Sequence, residues 1–530
     1  MVRLIALLTL AFALLAPAPA QVLAHRSWQF QQPDWDTFSA AIPCAASEGI
    51  NRIQLSHHIV MDAEELWQGR DHDKKLAFVK RAVALAHRYH LAVDMWTHEL
   101  SGVPPELRDG KRVRLSPELW QWLDKKYEKL FTLVPDLDGL VLTFAETDYP
   151  IYKDDAVIST ATPVARVVKM IDVLSAVCAR HDKQLIVRTF VYEPNEIAWI
   201  GEALTAVARQ SGARHNITVM TKCVPHDWQP YYPYNPLLGR VGGLPQVVEM
   251  DLGQEFTGKN HLLYGEVEYV RAVLAYARRC GVVGAVARVE RYGDRALGTP
   301  NAVNLHAFCR LLQDPSPTAD TLWHEWAEAR YGADAAPAVI AALRRTYDIT
   351  NLTLFPLGQW IADHTRVPGW DYAIDHLRQR ATALWIPAPR DDLIQQALLH
   401  PDWDTLDRVS EEKDLARRLI ELTLRDLNRA GPYLSEEDFT RLSSYLEFAA
   451  DNVEVFRHHN LALLATLAAE QATSLQTRQD YAAEAWKQLG EVRESANLME
   501  RRYGADALPG NPARLRAFAN TVEQHLRELP

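Results

Sequence analysis

Residues 219–228 read VMTKCVPHDW, and residues 247–256 read VVEMDLGQEF. Each stretch opens with a short apolar run rich in β-branched residues, which is typical of a buried strand. Polar and ionisable residues then follow, among them Asp227 and Glu255. In a barrel of parallel strands, residues at the C-terminal strand ends carry out the chemistry. The two stretches therefore predict neighbouring strands that bring two carboxylates to one rim.

The same pattern recurs from residue 25 onward, where short apolar runs alternate with amphipathic helical patterns. Such alternation predicts βα units around a parallel sheet. Eight strands are predicted, at residues 26–30, 52–57, 92–98, 139–146, 185–192, 217–223, 247–255 and 284–290. Eight units in about 270 residues predict an α/β fold, a (β/α)8 TIM barrel over residues 25–315. The alternative is an open doubly wound sheet, but no glycine-rich phosphate turn follows the first strand.

Beyond residue 315 the strand patterns stop and helical patterns take over. Most of these segments are amphipathic, and several begin at or just after Ser, Asp or Pro, as helices commonly do. The predicted helices cover residues 321–331, 336–347, 371–385, 411–430, 435–460 and 461–497. This pattern predicts an all-helical C-terminal domain over residues 316–530.

The first 24 residues have the pattern of a signal peptide. Arg3 supplies the positive end, residues 4–15 form an apolar core, and residues 18–20 or 22–24 offer a small-residue cleavage site. The apolar core is too short to span a bilayer comfortably, so an uncleaved anchor is the weaker alternative. We expect an exported protein, periplasmic or secreted, with no membrane span in the mature chain. A net charge of -11 without a basic run argues against a nucleic-acid partner.

Cysteine usage points to neither a metal nor a cofactor. The five cysteines, Cys44, Cys178, Cys223, Cys280 and Cys309, have wide spacings, and neither a CxxC pair nor a zinc pattern occurs. No His, Asp or Glu set has clear metal-ligand spacing, and no GxSxG motif is present. Most of the thiols are expected to be buried, and a single disulfide is left open.

A third predicted strand, residues 139–146, ends in Glu146, so three carboxylates are expected at the rim. Glycoside hydrolysis uses one protonated carboxyl group as acid and one ionised carboxylate as base or nucleophile. Glu146 follows the apolar pair Phe144 and Ala145, a setting that would favour its protonated form. We therefore assign Glu146 as the acid, with Asp227 and Glu255 sharing the base role.

Further rim residues are candidates for substrate binding. Arg188 and Lys222 are cations within apolar strands, and each needs an anionic partner, either a substrate group or a structural carboxylate. His57 lies at the end of the second predicted strand and Trp96 near the end of the third, where a hydrogen-bonded scaffold role is the alternative. Trp228 follows the sixth strand, and its ring suits either a sugar face or a packed loop.

At these residues the chain resembles the family 67 α-glucuronidases, over about residues 116–330. PDLDG at 135–139 leads into Ala145-Glu146, RTFVY at 188–192 is similar to the family's next strand, and QEFTG at 254–258 resembles its second base motif. NLHAF at 304–308 is similar to the start of the family's helical C-terminal domain. The resemblance implies an inverting hydrolase that removes glucuronic or 4-O-methylglucuronic acid from xylan fragments, and so takes part in polysaccharide degradation.

The resemblance also implies roles for individual residues. Glu146 would be the general acid, Asp227 and Glu255 the bases, and Arg188 and Lys222 would meet the uronate carboxylate. A further lysine of the family is replaced here by Leu142, and no room is left for its N-terminal β-rich domain. A different uronate, or another acidic or neutral sugar, therefore stays open as the substrate.

Two other functions fit the same residues. A retaining glycosidase would use Glu146 and Glu255, with Asp227 as a bystander, and a shorter carboxyl separation would distinguish it. A non-catalytic carbohydrate-binding barrel would keep the aromatic residues and need no acid of raised pKa. The expected partner is an oligosaccharide or a polysaccharide-derived substrate, and a homodimer through the helical domain is the alternative to a monomer.

Overall fold

The computed structural model of the protein describes residues 22–210, 215–379 and 389–529. Eight parallel strands close into a barrel in which β1 pairs with both β2 and β8. The strands are β1 (His25–Phe30), β2 (Arg52–Leu55), β3 (Ala92–His98), β4 (Gly139–Thr143), β5 (Gln184–Arg188), β6 (Ile217–Lys222), β7 (Gln246–Asp251) and β8 (Gly284–Arg288). The predicted (β/α)8 barrel is confirmed. Most predicted strands extend a few residues too far, into the loops that follow the C-terminal ends of the observed strands.

Helices surround the barrel because each predicted apolar stripe packs on the strands. They are α1 (Trp35–Ser47), α2 (His72–Arg88), α3 (Pro117–Leu133), α4 (Pro163–Arg180), α5 (Pro194–Arg209), α6 (Val267–Arg279) and α7 (Ala302–Gln313). Local signals set their starts: the Asp34 carboxylate accepts backbone N–H bonds at α1, and the Thr162 hydroxyl accepts one at α4. Proline opens α3, α4 and α5, where its missing N–H costs nothing.

The barrel interior is filled rather than hollow. Side chains from six consecutive strands form one buried layer, consisting of Trp96, Val141, Ile186, Met220, Val247 and Val286. Such layers are the usual filling of an eight-stranded barrel. The cavity described below therefore lies above this layer, at the C-terminal strand ends.

The remaining described chain is helical, as predicted. It contains α8 (Ala319–Tyr331), α9 (Ala336–Arg344), α10 (Thr346–Leu354), α11 (Trp370–Gln379), α12 (Pro389–Leu399), α13 (Trp403–Ala430), α14 (Glu436–Gln471), α15 (Leu475–Tyr503) and α16 (Pro512–Arg527). The predicted helix 371–385 runs partly into residues outside the described part of the chain. The helix Pro512–Arg527 was not predicted.

The predicted helix boundary between residues 460 and 461 is wrong. The helix α14 continues to Gln471, and the break comes before Ser474, whose hydroxyl accepts the Thr477 N–H at the start of α15. The polar residues at the predicted boundary, His459 and Asn460, are buried within α14, and the His459 ring bonds the Pro368 carbonyl. A tertiary contact therefore provides a partner for the His459 ring at a position that in isolation resembles a helix end.

The hydrophobic core does not stop at residue 315. Leu322, Trp323 and Val339 belong to the same buried cluster as Phe308 of α7, because α8 packs on α6 and α7. A second cluster joins Phe256, which follows β7, to the helical region. The boundary at 315/316 thus stays a prediction, because helices on both sides of it share one buried cluster. The end points 25 and 530 stay predictions as well.

The N-terminal segment and the cysteines are the remaining features predicted from the sequence. Of the predicted signal peptide, residues 1–21 lie outside the described part of the chain, whereas Leu23 is buried against the barrel base and donates its N–H to the Leu312 carbonyl. Within the described ranges, no helix combines the length and apolarity that crossing a bilayer requires. All five cysteines are described, and all are free thiols, so the disulfide left open does not form in this structure.

Candidate active site

One cavity of about 260 Å³ lies at the C-terminal end of the barrel. All eight residues predicted as site residues line it: Glu146, Asp227, Glu255, Arg188, Lys222, Trp228, His57 and Trp96. The other lining residues are Gln29, Phe190, Tyr192, Glu249, Arg288, Arg291, Trp360, His364 and Tyr372. The geometry brings the predicted set together, while the role of each residue stays a prediction.

Glu146 lies on the more open side of this cavity. It follows β4 with a left-handed backbone (φ 60°), a conformation that non-glycine residues adopt mainly where surrounding structure holds them. The expected apolar setting is not observed, because Phe144 and Ala145 are buried in the core while Glu146 itself is exposed. Its observed partner is the Tyr192 hydroxyl, which donates to Glu146 Oε1 at 3.2 Å.

The half-buried Asp227 forms an ion pair with the buried Lys222. The Lys222 Nζ lies 3.0 Å from Asp227 Oδ1, and the ammonium group also lies over the rings of Phe190 and Trp228, at 3.5 and 4.0 Å from their centroids. Burial alone would raise the pKa of Asp227, but the Lys222 ammonium and the neighbouring His226 outweigh it and hold the pKa well below its usual range. Asp227 is therefore ionised at neutral pH.

Glu255 is buried between two guanidinium groups. Arg288 Nη2 lies 2.7 Å from Glu255 Oε2, and Arg291 Nη2 lies 2.6 Å from Glu255 Oε1. Arg288 is in turn held by Asp251, which also accepts the Glu255 backbone N–H at 2.8 Å. Two opposite charges orient the Glu255 carboxylate and compensate the cost of burying it.

Arg188 has a structural carboxylate as its partner. Its guanidinium donates to both oxygens of Glu249, at 2.7 and 3.1 Å, and both side chains are buried. The same guanidinium lies over the rings of Trp96 and Phe190. Since Arg188 also lines the cavity, the Glu249 pair orients a cation that still faces the cavity.

The aromatic and imidazole candidates form the cavity floor and wall. Trp96 is fully buried and donates its indole N–H to Gln54. Burial, with the positive charge of Arg291 nearby, lowers the pKa of His57 well below its usual value, so its ring is neutral. Trp228 lies between two cations, Lys222 at 4.0 Å and Arg288 at 4.4 Å from its ring centroid. The full burial of Trp96 and its bond to Gln54 fit the scaffold alternative for this residue better than direct stacking on a sugar.

Sequence reasoning missed the contribution of the helical region. Trp360, His364 and Tyr372 lie more than 100 residues after Glu255 and still line the cavity. The Thr365 hydroxyl attaches this segment to the barrel, since it donates to the Glu255 carbonyl at 2.8 Å and accepts the Gly258 N–H at 2.9 Å. No local signal marks these residues, because only the tertiary contact places them at the barrel mouth.

Other missed residues did carry a signal. Arg288 ends β8 as a cation in an apolar strand, which is the same pattern that singled out Arg188. Glu249 is a charge inside the apolar run of β7, and a buried charge needs an opposite partner. Pairing every charged residue of the predicted strands would have found both. Within the described residues, no group of three or more His, Cys, Asp or Glu side chains is placed to hold a metal ion.

A (β/α)8 barrel with three carboxylates at one mouth defines the class of site used by many glycoside hydrolases. Comparison with known proteins agrees with this class. The model of the glycosyl hydrolase family 67 middle domain matches residues 112–291, which confirms the resemblance over this part of the barrel. The motif quoted at 304–308 lies beyond the matched range.

The curated relatives are similar at low identity. Alpha-glucuronidase A of Aspergillus tubingensis is 24% identical over 245 residues, covering 41% of this chain and 28% of the relative. An alpha-glucuronidase of Hypocrea jecorina is 23% identical over 246 residues, covering 42% and 28%. The chain thus matches less than a third of the length of these relatives.

Among solved structures, a GH138 enzyme targeting pectin rhamnogalacturonan II superposes with a TM-score of 0.65 at 12% identity. The superposition covers 96% of this chain and 84% of that one, which shows that both the barrel and the helical region share its fold. By its fold and by the match over residues 112–291, this chain is similar to glycoside hydrolases of the α-glucuronidase-like kind.

Proposed function

We propose that this protein is an exported, inverting glycoside hydrolase that removes a single terminal sugar, a uronate, from an oligosaccharide. The observation that carries the proposal is that Glu146, Asp227 and Glu255 line one cavity. The last two are paired with cations, and Glu146 has no ion pair among the described residues. Ligand cavities for larger molecules usually measure about 300–1,000 Å³. A volume of about 260 Å³ suits one sugar ring and favours attack at a chain end.

The proposed reaction needs a proton donor and an activated water. Glu146 gives its proton to the glycosidic oxygen as the bond to the anomeric carbon breaks. A water attacks that carbon from the opposite face, and its proton passes to the carboxylate pair Asp227 and Glu255. Asp227 is ionised before substrate binds because Lys222 holds its pKa down. The Tyr192 hydroxyl, in contact with Glu146, orients the acid.

The substrate is proposed to carry a carboxylate. Arg188 and Lys222 face the cavity from neighbouring strands. A guanidinium can hold a carboxylate through two parallel hydrogen bonds. The position of the family's further lysine is the buried Leu142 of β4, so recognition here would rest on Arg188 and Lys222.

Export is proposed from the signal-peptide pattern of residues 1–24. Leu23 packs in the core, and Ala24 donates its N–H to the Val283 carbonyl. Cleavage after Ala20 would keep these contacts, whereas cleavage after Ala24 would remove them. N-terminal sequencing of protein recovered from an exporting host tests this directly. A mature chain that begins at residue 25 would lack the contacts of Leu23 and Ala24 and would contradict cleavage after Ala20.

A hydrolysis screen over uronate-bearing oligosaccharides tests the proposed function. Products should be single uronic acids released from chain ends, and proton NMR should first detect the anomer opposite to that of the substrate. Carboxyl-reduced versions of the same substrates serve as controls and should react poorly. Release of an unchanged anomer would favour the retaining alternative, with Glu255 as nucleophile. Binding of substrates without any hydrolysis would favour the non-catalytic barrel.

A further inference from the structure

Two larger cavities extend from the candidate active site along the junction between the barrel and the helical region. The inner one measures about 460 Å³ and shares Glu255, Arg291 and His364 with the active-site cavity. The outer one measures about 690 Å³ and shares Lys259, Asp506 and Leu508 with the inner one. Since consecutive cavities share walls, we name the inner and outer cavities together the junction cleft.

The junction cleft is positively charged in a negatively charged protein. Six Lys or Arg side chains line it, namely Lys259, Arg291, Arg295, Arg366, Arg441 and Arg514. Only three Asp or Glu side chains do so, namely Glu255, Asp294 and Asp506. The whole chain has the opposite balance, with 57 Lys and Arg against 68 Asp and Glu. A local excess of this sign attracts anionic ligands.

Two of the six cations are paired within the lining, Arg291 with Glu255 and Lys259 with Asp294. The other four share an acid or contact a hydroxyl. Arg366 and Arg514 share one carboxylate, that of Asp363, which also accepts a bond from the His364 ring. Arg441 contacts Asp438 at 3.5 Å, a long separation for an ion pair. Arg295 donates to the Thr37 hydroxyl, which carries no charge. Guanidinium groups that share or lack a carboxylate keep N–H donors for a ligand.

Aromatic rings accompany these cations. Tyr292 is 37% exposed in the wall of the inner cavity, and its ring is stacked on His58 with centroids 4.1 Å apart. Tyr445, Phe448 and Tyr503 line the outer cavity. One exposed ring and three half-buried rings beside planar guanidinium groups match a ligand that has both apolar ring faces and carboxylates. Sugar acids have this combination.

We propose that the junction cleft binds the leaving-group side of the substrate, and that this side is itself an acidic oligosaccharide. The proposal rests on the proposed function, because it takes the small cavity as the site of the terminal sugar. Beyond the cleaved bond, several carboxylate-bearing sugar units would contact Arg291, Arg366 and Arg295 in turn. Recognition would then extend through the helical region, which supplies Arg366 and much of the outer wall.

Direct binding tests the cleft separately from catalysis. Galacturonate oligomers, from dimer to pentamer, and their carboxyl-reduced counterparts are titrated into Glu146→Gln protein by isothermal titration calorimetry. The acidic oligomers should bind at least about tenfold more tightly than the reduced ones, because charged hydrogen bonds are the stronger kind. Affinity should rise with length up to the trimer or tetramer and fall at high salt, which screens exposed charges.

Single variants with a matched control locate the site. Arg366→Gln and Arg295→Gln should each weaken binding of acidic oligomers about threefold to fivefold, as expected for partly exposed charge pairs. Arg493→Gln is the control, because Arg493 is 41% exposed and paired with Glu523, much as Arg366 is 40% exposed and paired with Asp363. The control should leave binding unchanged. Among the described residues the Arg295 side chain forms no direct ion pair and donates to the Thr37 hydroxyl, which itself donates to Asp34, so its variant breaks no salt bridge.

The outcomes separate this proposal from the proposed function. Hydrolysis of a uronate dimer without any preference for acidic over reduced oligomers would overturn the cleft proposal and leave the hydrolase intact. Tight, salt-sensitive binding of acidic oligomers without hydrolysis of any substrate would support the cleft and overturn the hydrolase. Equal losses in Arg366→Gln and Arg493→Gln would also overturn the cleft, since the effect would then be general.

Discussion

The two sides of the active-site cavity hold their carboxylates in opposite ways. Asp227 and Glu255 are each paired with at least one cation, whereas Glu146 is exposed and contacts a neutral hydroxyl. Paired cations stabilise the ionised form of a carboxylate, which suits a base. Glu146 has a hydroxyl donor in place of a cation. The difference therefore supports the assignment of acid and base by environment rather than by residue type.

Removing a base should have the largest effect. Asp227→Asn or Glu255→Gln should lower kcat/KM by about a thousandfold or more, since positioned acid–base groups contribute about 10²–10⁴-fold. The loss should be similar for natural substrates and activated aryl glycosides, because each requires water attack. Initial-rate assays with both substrate types measure it, with thermal melts to verify folding. If either variant retained activity, the substituted residue would not be a general base.

Removing the acid should be selective. Glu146→Gln should lower turnover of natural substrates by about 10²–10⁴-fold and largely spare activated aryl glycosides, whose leaving groups need no proton. Asp148→Asn is the control, because Asp148 is exposed two residues away and does not line the cavity. Added azide checks the alternative mechanism. Rescue by azide with a product of retained configuration would show that the enzyme is retaining.

Breaking the Arg188 pair should affect both stability and recognition. Arg188→Ala leaves the buried Glu249 without its partner, which should cost about 3–5 kcal/mol of unfolding free energy in urea titrations. If Arg188 also binds the substrate carboxylate, the ratio of uronate to neutral kcat/KM should fall about tenfold to a hundredfold. Adding Glu249→Gln should restore stability but not this ratio. Equal losses for uronate and neutral substrates would make Arg188 a scaffold residue only.

The smallest expected effect concerns pH and the partly buried Asp62, whose carboxylate accepts the His98 N–H next to the barrel mouth. Burial, only partly offset by Lys126, raises the pKa of Asp62 to about 7. The native state therefore holds a proton that the unfolded state loses above about pH 4, so stability from this group declines as pH rises towards 7. Asp62→Asn should gain about 1–2 kcal/mol over wild type between pH 5 and pH 8.

Chemical denaturation at both pH values measures that difference. Asp407→Asn, at an exposed position on α13, is the control and should show no pH-dependent change relative to wild type. A constant difference between Asp62→Asn and wild type at both pH values would mean that Asp62 titrates normally. Asp62, with a raised pKa, and Asp227, with a lowered pKa, would then no longer form a contrasting pair of carboxyl groups.

Much of the fold could be predicted from local patterns. Most barrel strands are short apolar runs, and the start and end of α3 at Pro117 and Leu133 follow from its apolar stripe and opening proline. The end of α14 could not be predicted, because a buried contact of His459 with the Pro368 carbonyl removes the apparent break. Local patterns fail where tertiary contacts satisfy polar groups that would otherwise end a helix.

The sequence by itself determined three of the four carboxylates that line the cavity, because a strand end in a parallel barrel can face only one rim. It placed Glu146, Asp227 and Glu255 there from three separate runs. Only the tertiary structure decided their charge environment, because the partner of Arg188 is Glu249, 61 residues away, and His364 approaches Glu255 from the helical region. Electrostatic pairing depends on distance in space, on which local sequence patterns carry no information.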